Sequence, residues 1–381
     1  MRMRKDKWKK YACLALCCCF IGSICACAPN GEGGKEDNKE DDTEQMEEVT
    51  WETQKEGTVL TRPQISDEGR NELLADLNFS QGFKVTLFHS NSSNGQIAGT
   101  LDYAGDAAGE VPMWQMAQWG CTHDMVSDGT FVRDESIFTY EDGGKYLSFD
   151  ATKTGTITLG IKGSEEYTRD EDGNIRERTD SKENWPHILI EQTIGHDISP
   201  NAKHLYMELD YEVLECESLV DRNLYPLNPD LNAAQFQWFI TLTDTDEGSE
   251  SFGQSMWFGF SMFDTRALNG TPSGLASYDG GKEDSTGLFI YMPSLSQVAA
   301  NAEVTDSEVT VPTAVIGAEK RVKIDILPWL SQALKTARQY GALKGASVEH
   351  LRIGSTNIGW ELPGNFDTKV RISGLNIYEV F

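Results

Sequence analysis

Apolar and polar positions alternate along most of the chain from Val59 onward. This period of two is typical of strands, because successive side chains of a strand face opposite sides of a sheet. The apolar positions are rich in β-branched and aromatic residues, and clusters of Gly, Asp, Asn and Pro separate the runs. The predicted strands are Phe83 to His89, Lys145 to Phe149, Gly155 to Ile161, His187 to Ile194, His204 to Val213, Phe236 to Thr243, Met256 to Phe263, Leu288 to Met292, Val322 to Ile326 and Val370 to Val380. No strand and helix alternation accompanies them, so the pattern predicts an all-β, antiparallel β-sandwich.

One segment departs from this pattern and predicts a helix from Pro328 to Gly341. Pro328 suits a first helical turn, and Gly341 is placed to end the helix. Leu330, Leu334 and Ala337 share one face at helical spacing. We therefore expect a single peripheral helix whose apolar face packs on the outside or edge of the sandwich.

The strand pattern also sorts side chains by the face that they occupy. The predicted inward rows are Phe236, Trp238, Ile240 and Leu242; Met256, Phe258, Phe260 and Met262; Ile188 and Ile190; and Leu205, Met207, Leu209, Tyr211 and Val213. The predicted outward rows are Gln235, Gln237, Phe239 and Thr241; Ser255, Trp257, Gly259, Ser261 and Phe263; His187 and Glu191; and His204, Tyr206, Glu208, Asp210 and Glu212. If these strands are neighbours, one outer sheet face mixes aromatic rings with amides, carboxylates and histidine.

Such a mixed face suits a sugar, because flat rings cover the C–H side of a pyranose while amides and carboxylates bind its hydroxyls. The sequence therefore predicts an extracellular oligosaccharide or polysaccharide as the partner. The alternative is a solvated face, or a covered one in which Trp257 and Phe239 form a second small core. The candidate carbohydrate-binding residues are His187, Glu191, Tyr206, Gln237, Phe239, Trp257 and Tyr291.

Composition restricts the class of protein further. The chain has 33 Lys and Arg against 60 Asp and Glu, a formal net charge of −27, so it lacks the basic surplus that binds a phosphate backbone. We therefore expect no nucleic-acid partner. Its 10% aromatic content excludes disorder throughout.

The first residues predict export and lipid anchoring. A basic start is followed by an apolar run from Tyr11 to about Ala26, which is too short to span a bilayer comfortably. The ending Ile24-Cys25-Ala26-Cys27 resembles a bacterial lipobox. That resemblance implies a cell-envelope lipoprotein lipidated at Cys27 and attached to the membrane only through acyl chains. An ordinary leader cut elsewhere and a retained signal anchor are the alternatives.

The remaining organisation follows from composition. Residues 1–26 are read as the leader, and residues 27–58, which are acidic and almost without apolar side chains, as a disordered tether. Residues 59–381 are predicted to form one β-sandwich domain. Outside the leader and the lipidated Cys27, only Cys121 and Cys216 remain, either as one disulfide or as two buried thiols.

The row Glu208-Leu209-Asp210-Tyr211-Glu212 resembles the Glu-x-Asp-x-Glu strand of the bacterial laminarinase and lichenase family of retaining glycoside hydrolases. The resemblance covers five residues and implies a concanavalin-like sandwich. The expected form of the fold is therefore a jelly-roll or concanavalin-like sandwich. It implies that Glu208 is the nucleophile, Asp210 its orienting partner and Glu212 the acid/base. A solvated strand face on an acidic protein is the alternative, and we expect binding rather than cleavage.

Two other kinds of site were considered. A polysaccharide lyase set could be drawn from His187, Gln192, Gln237, Arg266 and Tyr291, although strand parity places His187 and Gln192 on opposite faces. A structural Ca²⁺ is conceivable at the acidic loops, which are 170–174, 244–248 and 279–284, yet Asp-Gly turns explain them better. No metal ligand or cofactor is predicted with certainty, and a structural or protein-interaction lipoprotein remains a third reading.

Overall fold

The computed structural model describes residues 69–88, 96–101, 111–150, 155–280 and 285–381. In chain order its strands are β1 Arg70–Glu72, β2 Phe83–Thr86, β3 Ile97–Leu101, β4 Trp114–Ala117, β5 Thr130–Asp134, β6 Ile137–Glu141, β7 Lys145–Asp150, β8 Ile157–Lys162, β9 His187–Asp197, β10 His204–Glu217, β11 Gln235–Asp244, β12 Ser255–Asp264, β13 Leu275–Tyr278, β14 Phe289–Met292, β15 Glu308–Val309, β16 Lys320–Asp325, β17 Leu351–Glu361 and β18 Asp367–Val380. The α-helices are α1 Gly163–Glu166, α2 Leu295–Ala300, α3 Ala302–Thr305 and α4 Leu327–Gln339. Short 3-10 turns occupy Thr265–Ala267 and Val348–His350.

The strands form two nine-stranded sheets that enclose one hydrophobic core. Sheet I has the order β15-β16-β10-β18-β8-β7-β6-β5, with β1 also paired to β18. Sheet II has the order β13-β14-β12-β11-β17-β9-β4-β2-β3. Pairing is antiparallel except between β12 and β14 and between β2 and β4. The predicted all-β, largely antiparallel sandwich is confirmed.

Alternation sorts the strands largely as the sequence predicts. Trp238 on β11, Phe258 and Phe260 on β12 and Leu209 on β10 are fully buried in the core. Phe263 is an exception, because the register of β11 and β12 shifts between Phe236 and Gln237. This bulge turns Phe263 inward, where it packs edge-on against Trp360, so its predicted outward orientation is wrong.

The predicted peripheral helix is confirmed as α4. Leu330, Leu334 and Ala337 are buried on its inner face, and Gly341 follows with a φ of +90°. The short helix α2 was not predicted; Ser294 and Gln297 cap its start reciprocally. Within the described ranges no helix is long and apolar enough to cross a membrane.

The strand β10 does not join the sheet of its expected neighbours. It pairs with β16 and β18 in sheet I, whereas β9, β11 and β12 belong to sheet II. The outward rows therefore occupy opposite sides of the sandwich, and the expectation of one shared face is wrong for Tyr206 and for the carboxylate row of β10.

Both cysteines in the described part of the chain are free thiols. Cys121 is buried beside the start of β9, and Cys216 lies near the end of β10. The predicted leader, Cys27 and the tether lie outside the described residues.

Candidate functional site

A groove of about 210 Å³ lies on the outer face of sheet II, on the side away from the core. Its floor comes from the central strands β9, β17, β11 and β12, and its walls come from the loops before β9, after β13 and before β11. The side chains that give it its chemical character are Trp119, Arg178, Trp185, His187, Asp230, Gln237, Phe239, Trp257, Arg266, Asp279, Asn357 and Glu361. The groove thus combines indole and phenyl rings with amides and both signs of charge.

Trp257 and Phe239 form the aromatic part of the floor, where Trp257 is partly exposed and Phe239 is buried. Their rings meet edge to face, with centroids 5.9 Å apart and planes at 67°. The Trp257 indole N–H donates to Thr286 Oγ1 at 3.1 Å, so the ring is held while remaining partly exposed. A ring fixed in this way offers apolar area to a ligand at little cost in side-chain entropy.

Two glycines allow close packing within the sheet that carries the groove. Gly359 lies in register between Leu189 and Gln237, and a Cβ on it would stand 2.1 Å from the Ile188 carbonyl oxygen. Gly259 lies opposite Phe239, and a Cβ there would stand 2.5 Å from the Phe239 ring. Neither position accepts a side chain without displacing its neighbours.

The end of the groove near β9 is built around His187. The His187 ring is buried between Trp185 and Trp119, with ring centroids 6.0 and 6.2 Å away. Its Nε2 lies 3.5 Å from Glu361 Oε2, which also accepts the Trp185 indole N–H at 3.3 Å. Glu361 is thereby fixed at the rim with a partly exposed carboxylate.

A polar row crosses the same face beside the groove. Gln115, Glu191 and Asn357 lie directly opposite one another on β4, β9 and β17, and Gln115 Nε2 donates to Glu191 Oε2 at 2.9 Å. Burial raises the pKa of Glu191 to about 7, although the hydrogen bonds from Gln115 and Asn357 oppose the rise. This carboxyl group therefore changes charge near neutral pH.

The two arginines of the groove have different settings. Arg266 binds Asp264 with two hydrogen bonds, which joins its charge to a buried carboxylate. Arg178 is buried, donates to the carbonyl oxygens of Glu183 and Leu231, and lies 4.6 Å above the Trp185 ring. Arg178 therefore fastens the loop that carries Trp185 to the loop that precedes β11.

Of the predicted carbohydrate-binding residues, His187, Gln237, Phe239 and Trp257 line the groove, and Glu191 shares its face. Tyr206 does not, because it lies on the outer face of sheet I, stacks on His204 and donates to Asp306.

Tyr291 is also misplaced by the sequence. It faces the core and stacks on Phe258, with ring centroids 6.1 Å apart. Its neighbours Ile290 and Met292 line the groove instead. Tyr206 and Tyr291 are therefore removed from the candidate site.

The row Glu208, Asp210 and Glu212 lies on the outer face of sheet I, across the sandwich from the groove. Arg321 on β16 binds both Glu208 and Asp210, and Tyr378 Oη donates to Glu208 at 2.6 Å. Arg371 on β18 binds Glu212. The expectation that these carboxylates belong to the groove face is wrong: Glu208 and Asp210 share Arg321, and Glu212 pairs with Arg371.

The lyase set is not assembled. His187, Gln237 and Arg266 line the groove, but Gln192 points to the other side of β9, where its amide bonds the backbone N–H and carbonyl of Ala75. The parity argument against pairing His187 with Gln192 is confirmed.

The acidic loop 170–174 is a closed turn. Asp170 accepts hydrogen bonds from the backbone N–H groups of Asp172 and Asn174 and from Tyr225 Oη, and Gly173 has a φ of +83°. Within the described ranges no group of three or more His, Cys, Asp or Glu side chains is arranged to hold a metal ion. Residues 281–284 of the third acidic loop lie outside those ranges.

Sequence reasoning missed Trp119, Trp185, Asn357 and Glu361. Asn357 and Glu361 lie on β17, where they alternate with the buried Ile358 and Trp360. That alternation is a usable signal, but Gly354 and Gly359 interrupt the run. The two tryptophans lie in loops, which strand periodicity does not address.

No protein family model and no curated protein matches the chain by sequence. Among solved structures it is similar to a loop-swap mutant of the xylanase Xyn11A from "Necallimastix patriciarum", at 8% identity and a TM-score of 0.31, covering 66% of this chain and 96% of that one. It is similar to a variant of the Cel12A cellulase of Rhodothermus marinus, at 10% identity and a TM-score of 0.32, covering 69% and 98%. A family 12 xyloglucanase from Bacillus licheniformis gives 11% identity and a TM-score of 0.31, covering 66% and 96%. Similarity this low does not define a family for the chain, so its function has to be argued from the groove itself.

Proposed function

We propose that the protein binds extracellular carbohydrate in the groove on sheet II. The observation that carries the proposal is the position of Trp257 and Phe239 beside Gln237, Asn357 and Glu361 on one face. A pyranose ring has apolar C–H faces and an equatorial belt of hydroxyls. The rings match the first, and the amides and carboxylate match the second.

Binding is favoured over hydrolysis because the two glutamates of this face are held by different partners. Glu361 pairs with His187 and Asn357 pairs with Glu191, so the backbone positions of Glu191 and Glu361 are four residues apart along paired strands, or about 13 Å, and their side chains would have to lean together to act as a pair. Retaining glycosidases hold their carboxyl groups about 5–5.5 Å apart and inverting ones about 6.5–9.5 Å. Gln115 holds Glu191 and Trp185 holds Glu361 at their own ends of this span.

We further propose that the domain is displayed outside the cell by a lipid anchor at Cys27. The lipobox-like Ile24 to Cys27 and the acidic segment 27–58 support this placement. An acidic tether extends by self-repulsion, which would hold the groove away from the membrane surface. A polysaccharide outside the cell is then the expected ligand.

The test is a glycan array with the purified protein, followed by calorimetry on the glycans that bind. Trp257→Ala should weaken binding by about 1–3 kcal/mol. Phe252→Ala is the matched control, because Phe252 is an exposed aromatic residue that does not line the groove. Failure to bind any glycan, or equal losses in the two variants, would contradict the proposal. Turnover of a bound glycan would support hydrolysis in its place.

A further inference from the structure

A buried lysine lies between two buried carboxylates near the start of β7. Lys145 begins β7, Asp142 lies in the turn before it, and Glu166 ends α1; none of the three side chains is exposed to solvent. Lys145 Nζ is 2.8 Å from Asp142 Oδ2 and 2.8 Å from Glu166 Oε1. A third contact joins Nζ to the carbonyl oxygen of His123 at 2.7 Å.

The surroundings of Glu166 resemble a site for acyl chemistry. Its Oε2 accepts the backbone N–H groups of Thr122 at 2.5 Å and His123 at 3.1 Å. Two backbone donors on one oxygen are the arrangement that stabilises the anion of a tetrahedral intermediate. The other oxygen, Oε1, faces Lys145 Nζ, so the carboxyl carbon Cδ lies next to the lysine nitrogen. The two N–H groups at Oε2 are in place to stabilise the negative charge that develops there when the nitrogen attacks Cδ.

Asp142 is placed to move protons. Its Oδ1 accepts the backbone N–H groups of Gly144 and Lys145, which fixes the carboxylate, and its Oδ2 faces Lys145 Nζ. Gly144 gives the cluster room, because a Cβ there would stand 2.0 Å from Glu166 Oε1. The three side chains therefore supply a nucleophile, an electrophile and a proton carrier, with both carboxylates 2.8 Å from Lys145 Nζ.

The cluster holds one ammonium and two carboxylates away from water, which is a costly arrangement. Burial alone would lower the pKa of Lys145, but its neighbours Cys121, Glu166 and Asp142 outweigh that effect and raise it. The lysine therefore begins as an ammonium, and a reaction must first transfer its proton. Joining Lys145 to Glu166 would remove two of the three buried charges.

We propose that Lys145 and Glu166 form an intramolecular isopeptide bond. Lys145 passes a proton to Asp142, which transfers it to Oε1 of Glu166, and the free amine attacks Cδ of the resulting neutral acid. The Nζ–Cδ bond forms while Oε2 carries the negative charge against the two N–H groups. Asp142 then takes the second proton that the nitrogen loses and delivers it to Oε1, the Cδ–Oε1 bond breaks, and Oε1 leaves as water. No oxidant, reductant or other reactant is needed.

The bond would fasten the start of β7 to the end of α1 across β8. It would also fix the segment that contains Thr122 and His123, which follows Trp119 of the groove. Both described cysteines are free, so this cross-link would take the place that a disulfide has in many secreted domains.

The experiment is tryptic peptide mapping of the denatured full-length protein by mass spectrometry. The expected product joins Asp134–Lys153, uncut at Lys145, to Gly163–Arg169, with a mass one water below the sum of the two peptides. Complete recovery of the separate peptides at full mass would overturn the proposal. Loss of water within Asp134–Lys153 alone would place the bond on Asp142 and overturn the assignment to Glu166.

Variants separate the roles of the residues. Lys145→Met and Glu166→Ala should abolish the dehydration product, and Asp142→Ala should reduce its yield at least tenfold. Lys320→Met is the matched control, because Lys320 is a buried lysine on β16 outside the cluster, and it should leave the linked peptide unchanged. An undiminished link in Asp142→Ala would overturn the role of Asp142. The measurement on the unmodified sequence decides the proposal even where a variant fails to fold.

Discussion

Gln115 Nε2 donates to Glu191 Oε2 at 2.9 Å, across two antiparallel strands in which the residues are directly opposite. The amide compensates part of the free energy that the carboxylate loses on leaving water. It does not compensate all of it, since burial still raises the pKa of Glu191 to about 7 from 4.5. The face that carries the groove therefore contains a carboxyl group that is neutral in weak acid and charged in weak base.

This relationship predicts how stability depends on pH. The folded protein holds the Glu191 proton more tightly than the unfolded chain, so the associated stability is fully present below pH 4.5 and is lost as pH rises through about 7. The loss should be about 2–3 kcal/mol. Denaturant titrations from pH 4 to pH 9 measure it.

Glu191→Gln is the matched variant for that measurement, because its amide has no charge to lose. Below pH 5 the two proteins should differ least in their free energy of unfolding. Above pH 7 the free energy of unfolding of the variant should exceed that of the original protein by the largest amount. A difference that stays constant over the range would show that Glu191 titrates normally.

The inward position of Trp238 gives a second prediction. Its ring is fully buried, and its indole N–H donates to Thr356 Oγ1 at 2.9 Å. Trp238→Ala should reduce the free energy of unfolding by about 3–5 kcal/mol, because it leaves a cavity and removes one of the two hydrogen bonds of the Thr356 hydroxyl, which still donates to the Phe239 carbonyl oxygen. Trp257→Ala should change it by less than about 1.5 kcal/mol, since that ring is partly exposed. Chemical denaturation of both variants checks the facing of β11 and β12, and a reversed order of effects would contradict it.

The carboxylate row of β10 gives a third prediction. Because Glu208 binds Arg321 and Tyr378 on the outer face of sheet I, Glu208→Gln should leave carbohydrate affinity unchanged and reduce stability by about 1 kcal/mol or less. The unmodified protein should release no reducing ends from laminarin or mixed-linkage glucan. Turnover that disappears in Glu208→Gln would restore the glycosidase interpretation of this row.

The fourth prediction concerns attachment to the membrane. Cys27→Ser should release the protein or leave it as an uncleaved precursor, because serine cannot accept the thioether-linked lipid. Metabolic labelling with palmitate measures the difference. Equal label in the original protein and in the variant would place the lipid elsewhere or exclude it.

Strand facing was predictable from the sequence because the core selects it residue by residue. On β11, Trp238 and Ile240 are buried while Gln237 faces the groove, as alternation requires. Phe263 was not predictable, since one inserted residue in the ladder reverses the parity beyond it.

The grouping of strands into sheets could not be read from the same pattern. The rows of β10 and β11 have similar alternation, yet β10 pairs with β18, which lies far along the chain. A polar and aromatic row therefore predicts an outer face without saying which one. For this reason the sequence wrongly assigned Tyr206 and the row from Glu208 to Glu212 to the groove face. Tyr291 was wrongly assigned for a different reason, because β14 turns its ring towards Phe258.

The close packing of the sheet at Gly359 and Gly259 depends on the absence of a side chain at both positions. Alanine scanning, the usual way to find binding residues, removes side chains. It cannot identify a glycine that contributes by having no side chain. At these two sites alanine is an insertion: its methyl group would press on the Ile188 carbonyl or on the Phe239 ring. An alanine at either position should therefore lower the free energy of unfolding, and any loss of ligand affinity that accompanies it would report on the sheet beneath the groove and not on a contact with the ligand.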